Sequence, residues 1–373
     1  MKIWRSYQEM IVFLALLLSA IGLFNVFNSS YVLGMNNESN PYFFFLQQAK
    51  ALVVGVILAL ALCSKRINFK KLRTMQLQYG FAIFVILLLI AVELVGISVN
   101  GSQRWLKLGL TFQPSELAKL SAIFLTAAYI DKFYQQSNRS RYISLMTPPV
   151  VITVIMFGLV FKQPDLGTAI VIALMCVSLY LVAGLRPRMI IGLAVTAAML
   201  AIPLVIFASY RLDRLRAWFD PWQYAQGIGY QACQSMLTIG SGKIFGMQFG
   251  LGLSKFFYLP EAHTDFAFAI WAQESGFIGS VLLLALFLLF AKISITVAMK
   301  TTDVFGRMLA IGITLLIAGQ ALINIAMVTG VFPVVGVPLP FVSYGGTSLV
   351  INWIAVGFLA NVAGKLKEEK QDE

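Results

Sequence analysis

The hydrophobic pattern of the chain is a succession of long apolar stretches separated by shorter polar segments. A helix that crosses a bilayer needs about 20 mostly apolar residues. Stretches of this kind cover residues 9–28, 43–63, 78–97, 115–131, 144–161, 168–184, 189–209, 276–292, 306–330 and 344–364. The pattern therefore predicts an all-α polytopic membrane protein, with about ten transmembrane helices in one integral-membrane domain that covers residues 1–373.

One interruption of this pattern, at about residues 210–275, is far longer than the others and is half apolar. Connections longer than about 12 to 15 residues are usually functional or disordered. The aromatic side chains of Trp218, Trp222 and Tyr258 argue against disorder. We therefore expect a large outer loop that lies on the membrane surface, and we look there first for a functional site.

The composition excludes several classes of protein. Hydrophobic residues make up 59% of the chain and charged residues 12%, whereas a soluble domain has about 25% charged residues. The net charge of +12 would suit a nucleic-acid-binding protein, but the predicted inner segments hold more than twice as many Lys and Arg residues as the outer ones. Cytoplasmic loops of membrane proteins show this enrichment. We therefore expect cytoplasmic termini, a cytoplasmic tail at 365–373, contacts with membrane lipids and no nucleic-acid partner.

Cysteine and histidine are too scarce for the usual metal sites. Cys63, Cys176 and Cys233 fall at a predicted inner edge, inside a helix and in the outer loop, so we expect no disulfide. With His263 as the single histidine, a zinc or haem site is equally unexpected. Chemistry must come from carboxylates, cations and backbone. No cofactor is evident, and a requirement for a divalent cation stays open.

Ionisable residues inside predicted spans mark candidate sites because such groups are costly in a membrane. Glu116 and Lys119 are three residues apart, just after a helix start at Pro114, so they share a helix face and can pair. They form either a structural ion pair or a charged wall of a substrate cavity. Glu93 and Lys50 lie on consecutive spans, and we expect them to pair with each other.

Lys and Arg residues in the predicted outer segments are contrary to the enrichment of positive charge on the inner side, which suggests that they have a function. They could bind phosphate head groups or a phosphorylated lipid, because both Arg and Lys recognise phosphate. Arg104 and Lys162 are the better candidates because they border short loops near Glu116, and Lys243 is a further one. The Gly240–Lys243 stretch is not a nucleotide-binding loop, because that motif requires Gly at 237 and Ser or Thr at 244.

The densest polar cluster in the chain is Glu261-Ala-His263-Thr264-Asp265, at the mouth of an apolar helix. A half-desolvated carboxylate there would have a raised pKa and could act as a general base, with His263 or Thr264 beside it. The alternative is that Thr264 or Asp265 only caps the helix.

The last outer connection, residues 332–347, is rich in Pro and Gly and almost uncharged. Irregular backbone at membrane depth persists only where it lines a cavity or is buried in protein. We therefore expect a re-entrant segment in which Ser343, Gly345 and Gly346 could present N–H groups to an anion. Ordinary helix punctuation is the alternative.

Taken together, six segments resemble motifs of the SEDS family of RodA, FtsW and SpoVE, in the same order and through nearly the whole chain. They are Gly101-Ser-Gln-Arg-Trp105, Gln113-Pro-Ser-Glu116, Gln163-Pro-Asp-Leu-Gly-Thr168, Gly229-Tyr-Gln231, Leu259-Pro-Glu-Ala-His-Thr-Asp-Phe266 and Pro338-Leu-Pro-Phe-Val-Ser-Tyr-Gly-Gly-Thr347. Some motifs are more similar to the division member FtsW and others to the elongation member RodA, so the subtype stays open.

The resemblance implies a peptidoglycan glycosyltransferase that polymerises lipid II at the outer face of the bacterial cytoplasmic (inner) membrane. It also implies a class B penicillin-binding protein as partner, together with other proteins of the division or elongation complex. Asp265 matches the essential loop aspartate of the family. Glu116, Lys119 and Asp165 match other positions needed for activity, and Arg104 lies in the Arg-Trp motif.

The residues agree with this chemistry. A sugar hydroxyl that displaces a pyrophosphate from an anomeric carbon needs one base and cations for the leaving group. A lipid II flippase is the main alternative, and a non-catalytic scaffold is the third. The candidate charges cluster at the outer ends of the spans, which favours outer-face chemistry over transport through the midplane.

Overall fold

The computed structural model describes residues 6–64, 69–99, 102–108, 110–136, 143–144, 146–186, 188–189, 191–192, 209–256 and 258–369. Its α-helices are α1 (Tyr7–Glu38), α2 (Phe43–Cys63), α3 (Met75–Val95), α4 (Pro114–Gln136), α5 (Pro148–Lys162), α6 (Leu166–Val182), α7 (Ser209–Phe219), α8 (Tyr230–Ser241), α9 (Ala267–Lys300), α10 (Val304–Thr314), α11 (Gln320–Val328) and α12 (Gly346–Glu369). A 3₁₀ turn occupies Phe69–Arg73, and a π-helical turn, Leu315–Gly319, joins α10 to α11.

The predicted polytopic helical membrane protein is confirmed. Among the described residues, six helical segments are long and apolar enough to cross a membrane, and α5 and α6 are shorter apolar helices. The six are Tyr7–Asn36, Phe43–Cys63, Met75–Val95, Ala267–Lys300, Val304–Val328 and Gly346–Leu366. Every predicted span within the described residues coincides with a helix. The seventh span, 189–209, lies almost entirely outside them, so the count of ten stays a prediction.

The helix α4 lies at the centre of the bundle and is buried along most of its length, although it is not among the six apolar spans. It packs against α3, α6 and α10. Because protein rather than lipid surrounds it, α4 can carry polar side chains such as Ser121 and Thr126, both fully buried. This helix brings Glu116 and Lys119 into the interior.

The closest helix pair, α2 and α12, is packed through small residues. A Cβ at Gly55 would lie 2.9 Å from the Trp353 side chain, and a Cβ at Gly357 would lie 2.9 Å from the Ala59 backbone. Small residues of this kind let two membrane helices approach closely. The pair forms one side of the core and carries Gln48, which contacts the last outer connection, as described below.

A small antiparallel sheet adds to the helical fold at residues 97–112. Its strands are β1 (Ile97–Val99), β2 (Ser102–Leu108) and β3 (Leu110–Phe112), in the order β1-β2-β3. Trp105 pairs with Ile97, and Lys107 with Thr111. The sheet connects α3 to α4 and positions Arg104 next to the start of α4.

The large outer loop contains two helices and ends earlier than predicted. It contains α7 and α8, and α9 begins at Ala267, nine residues before the predicted start at 276. The helix breaks at Gly276, whose φ of 68° and ψ of −166° are essentially restricted to glycine. The broken backbone bonds are replaced from the loop: Phe277 N donates to Lys243 O at 2.9 Å, and Met247 N donates to Gln273 O at 3.0 Å. The half-helix 267–275 is therefore a separate element held by the loop.

Candidate functional site

A cavity of about 480 Å³ brings together seven of the residues singled out from the sequence, five of them through polar side chains and two through the glycines Gly345 and Gly346. It forms where β2, the start of α4, the turn between α5 and α6, the segment before α9 and the segment before α12 meet. The lining includes Arg104, Glu116, Asp165, Thr264 and Asp265. These residues are far apart in sequence, so the tertiary fold assembles a polar site that no single motif contains.

The Asp265 carboxylate faces this cavity from the turn that precedes α9. Asp265 does not cap the helix, because the N-cap residue is Phe266 and no side-chain hydrogen bond closes that end. The backbone carbonyl of Asp265 accepts a hydrogen bond from Asn324 Nδ2 at 2.8 Å. The structure thus fixes the backbone of this turn and contradicts the helix-cap alternative.

The surroundings of Asp265 raise the pKa of its carboxyl to about 7. Burial is the main cause, and the negative charges of Glu261 and Asp165 add to it, while Arg104 opposes the change. A general base works best when its pKa is near the operating pH, because it is then both ionised and basic enough to take a proton. Asp265 meets this condition at neutral pH.

Arg104 and Asp165 lie together in the lining of the same cavity. The two are 4.0 Å apart, from Nη1 to Oδ1. Arg104 Nε donates to Gln163 O at 3.2 Å, and Nη2 donates to Pro164 O. The Asp165 carboxylate caps α6, because Thr168 N donates to Oδ1 at 3.2 Å. Burial raises the pKa of Asp165, and Arg104 counteracts part of that effect. The α5–α6 turn therefore holds the guanidinium in place without consuming all of its N–H donors.

Glu116 and Lys119 form the predicted ion pair, with 2.7 Å between Lys119 Nζ and Glu116 Oε1 and both side chains 2% exposed. Lys119 also donates to Gln320 Oε1 at 3.0 Å. Glu116 lines the cavity, whereas Lys119 lies behind it. The second oxygen of Glu116, Oε2, is buried without a hydrogen-bond partner in the described part of the chain. The pair thus contributes to the cavity lining through Glu116 and to the packing behind it through Lys119.

The other predicted binding residues lie outside the cavity lining. His263 packs its ring against Phe44 and Tyr344, with centroid distances of 5.1 and 5.6 Å, and burial lowers its pKa. The hydroxyl of Ser343 accepts a hydrogen bond from Leu339 N at 2.9 Å, so it closes a turn. The exposed Lys243 has a left-handed backbone conformation (φ 48°), and its carbonyl bridges the break in α9.

The expected pairing of Glu93 with Lys50 is wrong. Glu93 Oε2 instead lies 3.2 Å from Lys162 Nζ, and the Lys162 side chain is 71% exposed. Lys162 ends α5, which packs against α3, and this neighbour could not be read from the order of the spans. Lys50 is exposed on α2. Lys162 therefore closes a surface ion pair rather than lining the cavity.

The last outer connection does line the cavity, but some of its N–H groups are already used. Gly345 N donates to Gln48 Oε1 at 3.1 Å, and Gln48 Nε2 donates to Ser343 O at 3.1 Å. This side chain from α2 ties the connection to the bundle. The last outer connection is therefore a rigid side of the cavity, and Gly346, which also lines it, remains a candidate for an anion contact.

Sequence reasoning missed two buried amides in the last apolar span before this connection. Asn324 Nδ2 donates to Asp265 O and, at 2.6 Å, to Val337 O. Gln320 Nε2 donates to Pro338 O at 2.9 Å, while its Oε1 accepts from Lys119. Two amides four residues apart in an apolar helix were the signal that could have identified them.

No metal centre accompanies the cavity in the described ranges, since no three His, Cys, Asp or Glu side chains converge closely enough to hold an ion. The polar groups present are a base, a guanidinium and buried carboxylates. Such a set can deprotonate a hydroxyl and neutralise a phosphate.

Comparisons with known proteins agree with this arrangement. A family model described as cell cycle protein, covering FtsW, RodA and SpoVE, matches residues 8–368. The chain is 37% identical to the probable peptidoglycan glycosyltransferase FtsW of Trichlorobacter lovleyi, over 97% of this chain and 94% of that protein. It is 36% identical to the stage V sporulation protein E of Bacillus subtilis, over 96% and 97% of the two chains.

Solved structures give the same result. A chain of a peptidoglycan synthase complex, described as coordinating polymerization and crosslinking, superposes with a TM-score of 0.78 at 28% identity and covers 97% of this chain and 99% of that one. The rod shape-determining protein RodA of Thermus thermophilus superposes with a TM-score of 0.68 at 27% identity, over 97% and 98% of the two chains. The chain therefore belongs to the SEDS family of FtsW, RodA and SpoVE.

Proposed function

We propose that this chain polymerises lipid II into β-1,4 glycan strands at the outer face of the bacterial cytoplasmic membrane, with Asp265 as the general base. The chain is a SEDS peptidoglycan glycosyltransferase of cell division or elongation, as are the relatives it resembles. The observation that carries the mechanism is the Asp265 carboxylate, with its pKa raised to about 7, in one cavity with Arg104.

The reaction needs little from the protein beyond these two groups. Asp265 takes the proton of the C4 hydroxyl of an N-acetylglucosamine while that oxygen bonds to the anomeric carbon of the donor. The bond from that carbon to the pyrophosphate oxygen breaks on the opposite face, so the configuration inverts, and the polyprenyl pyrophosphate leaves with the electron pair. Since pyrophosphate is a good leaving group once its charge is neutralised, no general acid is required.

Arg104 is suited to the leaving group. It lines the cavity and is 24% exposed, and its contacts with Gln163 O, Pro164 O and Asp165 hold the guanidinium plane without using every N–H. Guanidinium groups recognise phosphate through paired hydrogen bonds. Glu116 also lines the cavity, where its ion pair with Lys119 holds the carboxylate in place.

The proposed setting follows from the sequence and the relatives. The excess of Lys and Arg in the predicted inner segments supports cytoplasmic termini and a site on the outer side. The similarity to a chain from a synthase complex supports a class B penicillin-binding protein as partner, which cross-links the new strand. Lipid II, rather than another polyprenyl-linked sugar, is the substrate we propose.

The test is polymerisation of purified lipid II by the chain together with its partner, comparing wild type with Asp265→Asn. Asn has nearly the shape of Asp but cannot accept the proton, so we expect a loss of about 10²- to 10⁴-fold. The matched control is Asp213→Asn, which makes the same chemical change at a surface ion pair on α7, away from the cavity.

Equal polymerisation by Asp265→Asn and wild type, with both folded, would remove Asp265 from catalysis. The two alternatives would then be tested directly. A flippase should move lipid II across proteoliposomes independently of Asp265, and a scaffold should bind its partner without either activity.

A further inference from the structure

A second cavity, of about 770 Å³, lies beside the candidate site. It forms between the end of α7, the start of α8 and the residues that follow α11. We call it the aromatic groove, since Trp218, Phe219, Trp222, Tyr230 and Phe332 line it. Its volume is in the range of about 300 to 1,000 Å³ that is typical of ligand-binding pockets.

The aromatic groove adjoins the cavity that contains Asp265. Gln231 and Val334 line both cavities. Pro260, which lines the groove, is followed by Glu261, which lines the site. A ligand that extends from the reacting atoms along these shared residues would enter the groove directly.

The chemistry of the groove fits uncharged sugar rings. Its described lining combines aromatic faces with an amide (Gln231) and a carboxylate (Asp220), and includes no Lys or Arg. The neighbouring cavity, by contrast, has Arg104. A pyranose presents a C–H face that packs on an aromatic ring and hydroxyl edges that bond to amides and carboxylates, whereas a phosphate needs cations.

The position of the groove argues against a polyprenyl chain as its occupant. None of its described lining residues belongs to one of the six candidate membrane spans: residues 217–236 and Pro260 precede the span that begins at Ala267, and residues 330–334 lie between the spans that end at Val328 and begin at Gly346. A hydrocarbon tail would lie among the spans. A glycan lies outside the hydrocarbon region.

We propose that the aromatic groove binds the growing glycan strand, holding the sugar units beyond the one that reacts. This inference rests on the proposed function. The anomeric carbon of the strand carries the pyrophosphate and reacts near Asp265, so the older sugars extend away from it through the C4 oxygen of the reacting sugar. A binding surface next to the site keeps the strand on the enzyme between additions and makes polymerisation processive.

The rings of the groove are partly preorganised for this role. Trp218 Nε1 donates to Gly330 O at 3.3 Å, and the Tyr230 hydroxyl donates to Tyr258 O at 2.9 Å. Both rings are thus held by the backbone of neighbouring segments. Trp222 is 56% exposed, so it offers a ring face to an incoming sugar and is the residue to change first.

The experiment compares wild type with Trp222→Ala and with Trp222→Phe, which keeps a ring. Phe245→Ala is the matched control, because Phe245 is an exposed aromatic residue of the same outer segment that lines neither cavity. The purified chain with its partner is given lipid II, and the product lengths and the initial rate of joining two lipid II molecules are measured. In parallel, each variant is titrated with a lipid-free hexasaccharide of alternating N-acetylglucosamine and N-acetylmuramic acid.

We expect Trp222→Ala to weaken hexasaccharide binding about tenfold, a size consistent with the loss of one aromatic contact. Its products should shift to short oligomers, while the initial joining rate stays close to wild type, since lipid II itself supplies only the reacting disaccharide. Trp222→Phe should recover much of the product length, and Phe245→Ala should match wild type in both assays.

Unchanged product length and unchanged hexasaccharide binding in Trp222→Ala would overturn the proposal. If Trp222→Ala instead loses binding to a polyprenyl phosphate, the groove holds the lipid chain, and if it loses only co-purification with the partner protein, the groove is a protein interface. Either result would also overturn the proposal. If wild type forms no polymer, the proposed function fails, and the hexasaccharide titration, which needs no turnover, still decides the role of the groove. Asp265→Asn should bind the hexasaccharide as wild type does, because it removes only the base.

Discussion

The raised pKa of Asp265 links catalysis and stability in opposite directions, and both effects can be measured. In the native protein, burial and two neighbouring carboxylates raise this pKa from 3.8 to about 7. Between these two pH values the native state holds a proton that the unfolded chain has released. The free energy of unfolding therefore falls as pH rises through this window, and the contribution of Asp265 is fully present only below about pH 4.

The size of the effect follows from the two pKa values. One pKa unit corresponds to about 1.4 kcal/mol, so the ionised carboxylate destabilises the fold by at most about 4 kcal/mol at pH 8. The cavity admits solvent to Asp265, which is partly exposed, and we therefore expect a smaller value, on the order of 2 kcal/mol. Replacing Asp265 with Asn removes the charge and should recover this free energy.

The assay is thermal unfolding of wild type and Asp265→Asn in the same detergent at pH 5 and pH 8, with Asp213→Asn as control. We expect Asp265→Asn to unfold at a higher temperature than wild type at pH 8, and we expect the difference to be clearly smaller at pH 5. The polymerisation rate of wild type should change in the opposite direction, falling about tenfold for each pH unit below 7 because the base must be ionised.

A further variant tests the electrostatic cause. Removing the charge of Glu261, which raises the pKa of Asp265, should move the acid limb of the rate profile to lower pH. Equal stabilities of wild type and Asp265→Asn at pH 8, together with a rate that is flat from pH 5 to 8, would refute the assignment of a raised pKa to the base.

Three other predictions concern residues that hold the site. Changing either Glu116 or Lys119 alone to alanine should lower stability by about 3 to 5 kcal/mol, since it leaves a buried charge unpaired; a charge-swapped pair that folds but does not polymerise lipid II would support the cavity role of Glu116, and full recovery would contradict it. Lys255→Met should produce a similar loss in thermal unfolding, because Lys255 lies 3.0 Å from a buried carboxylate on the half-helix that follows Asp265; an unchanged unfolding temperature would contradict this. Gly276→Ala should reduce folded yield, at about 1 to 3 kcal/mol of backbone strain, whereas Gly80→Ala, where a Cβ meets nothing within 4 Å, should not.

The helices and the residues of the candidate site could be predicted from the sequence, but the ion-pair partners on neighbouring helices could not. Apolar length located every described span, and the family motifs named Arg104, Glu116, Asp165 and Asp265, which the cavity brings together. The partner of Glu93 was missed because it depends on α5 packing beside α3, a neighbour relation that the order of the spans does not contain. Ion pairs between helices require the arrangement of the bundle, which hydropathy does not encode.

The break in α9 was hidden for a different reason. Residues 267–275 were assigned to the outer loop and the predicted span began at Gly276, so nothing in the sequence indicated that a helix continues across this glycine with a break. The role of Lys243 was missed as well, because Lys243 was identified by the charge of its side chain. Its functional atom in the fold is its backbone carbonyl, which accepts the Phe277 N–H that the break leaves without a helical partner. A sequence states which side chain is present, but not whether the fold uses the side chain or the backbone.

The geometry around Asp265 depends on neutral amides more than on charges. Asn324 donates to the carbonyls of both Asp265 and Val337, so one side chain fixes the distance between the base and the facing segment of the cavity. Gln320, one turn earlier, joins Lys119 to Pro338 and thereby connects the Glu116 side of the cavity to the same segment. Because amides keep their hydrogen bonds at any pH at which the fold persists, the cavity keeps its shape while Asp265 gains and loses its proton. This separation lets one carboxylate titrate near neutrality, as a general base must, without loosening the site that positions it.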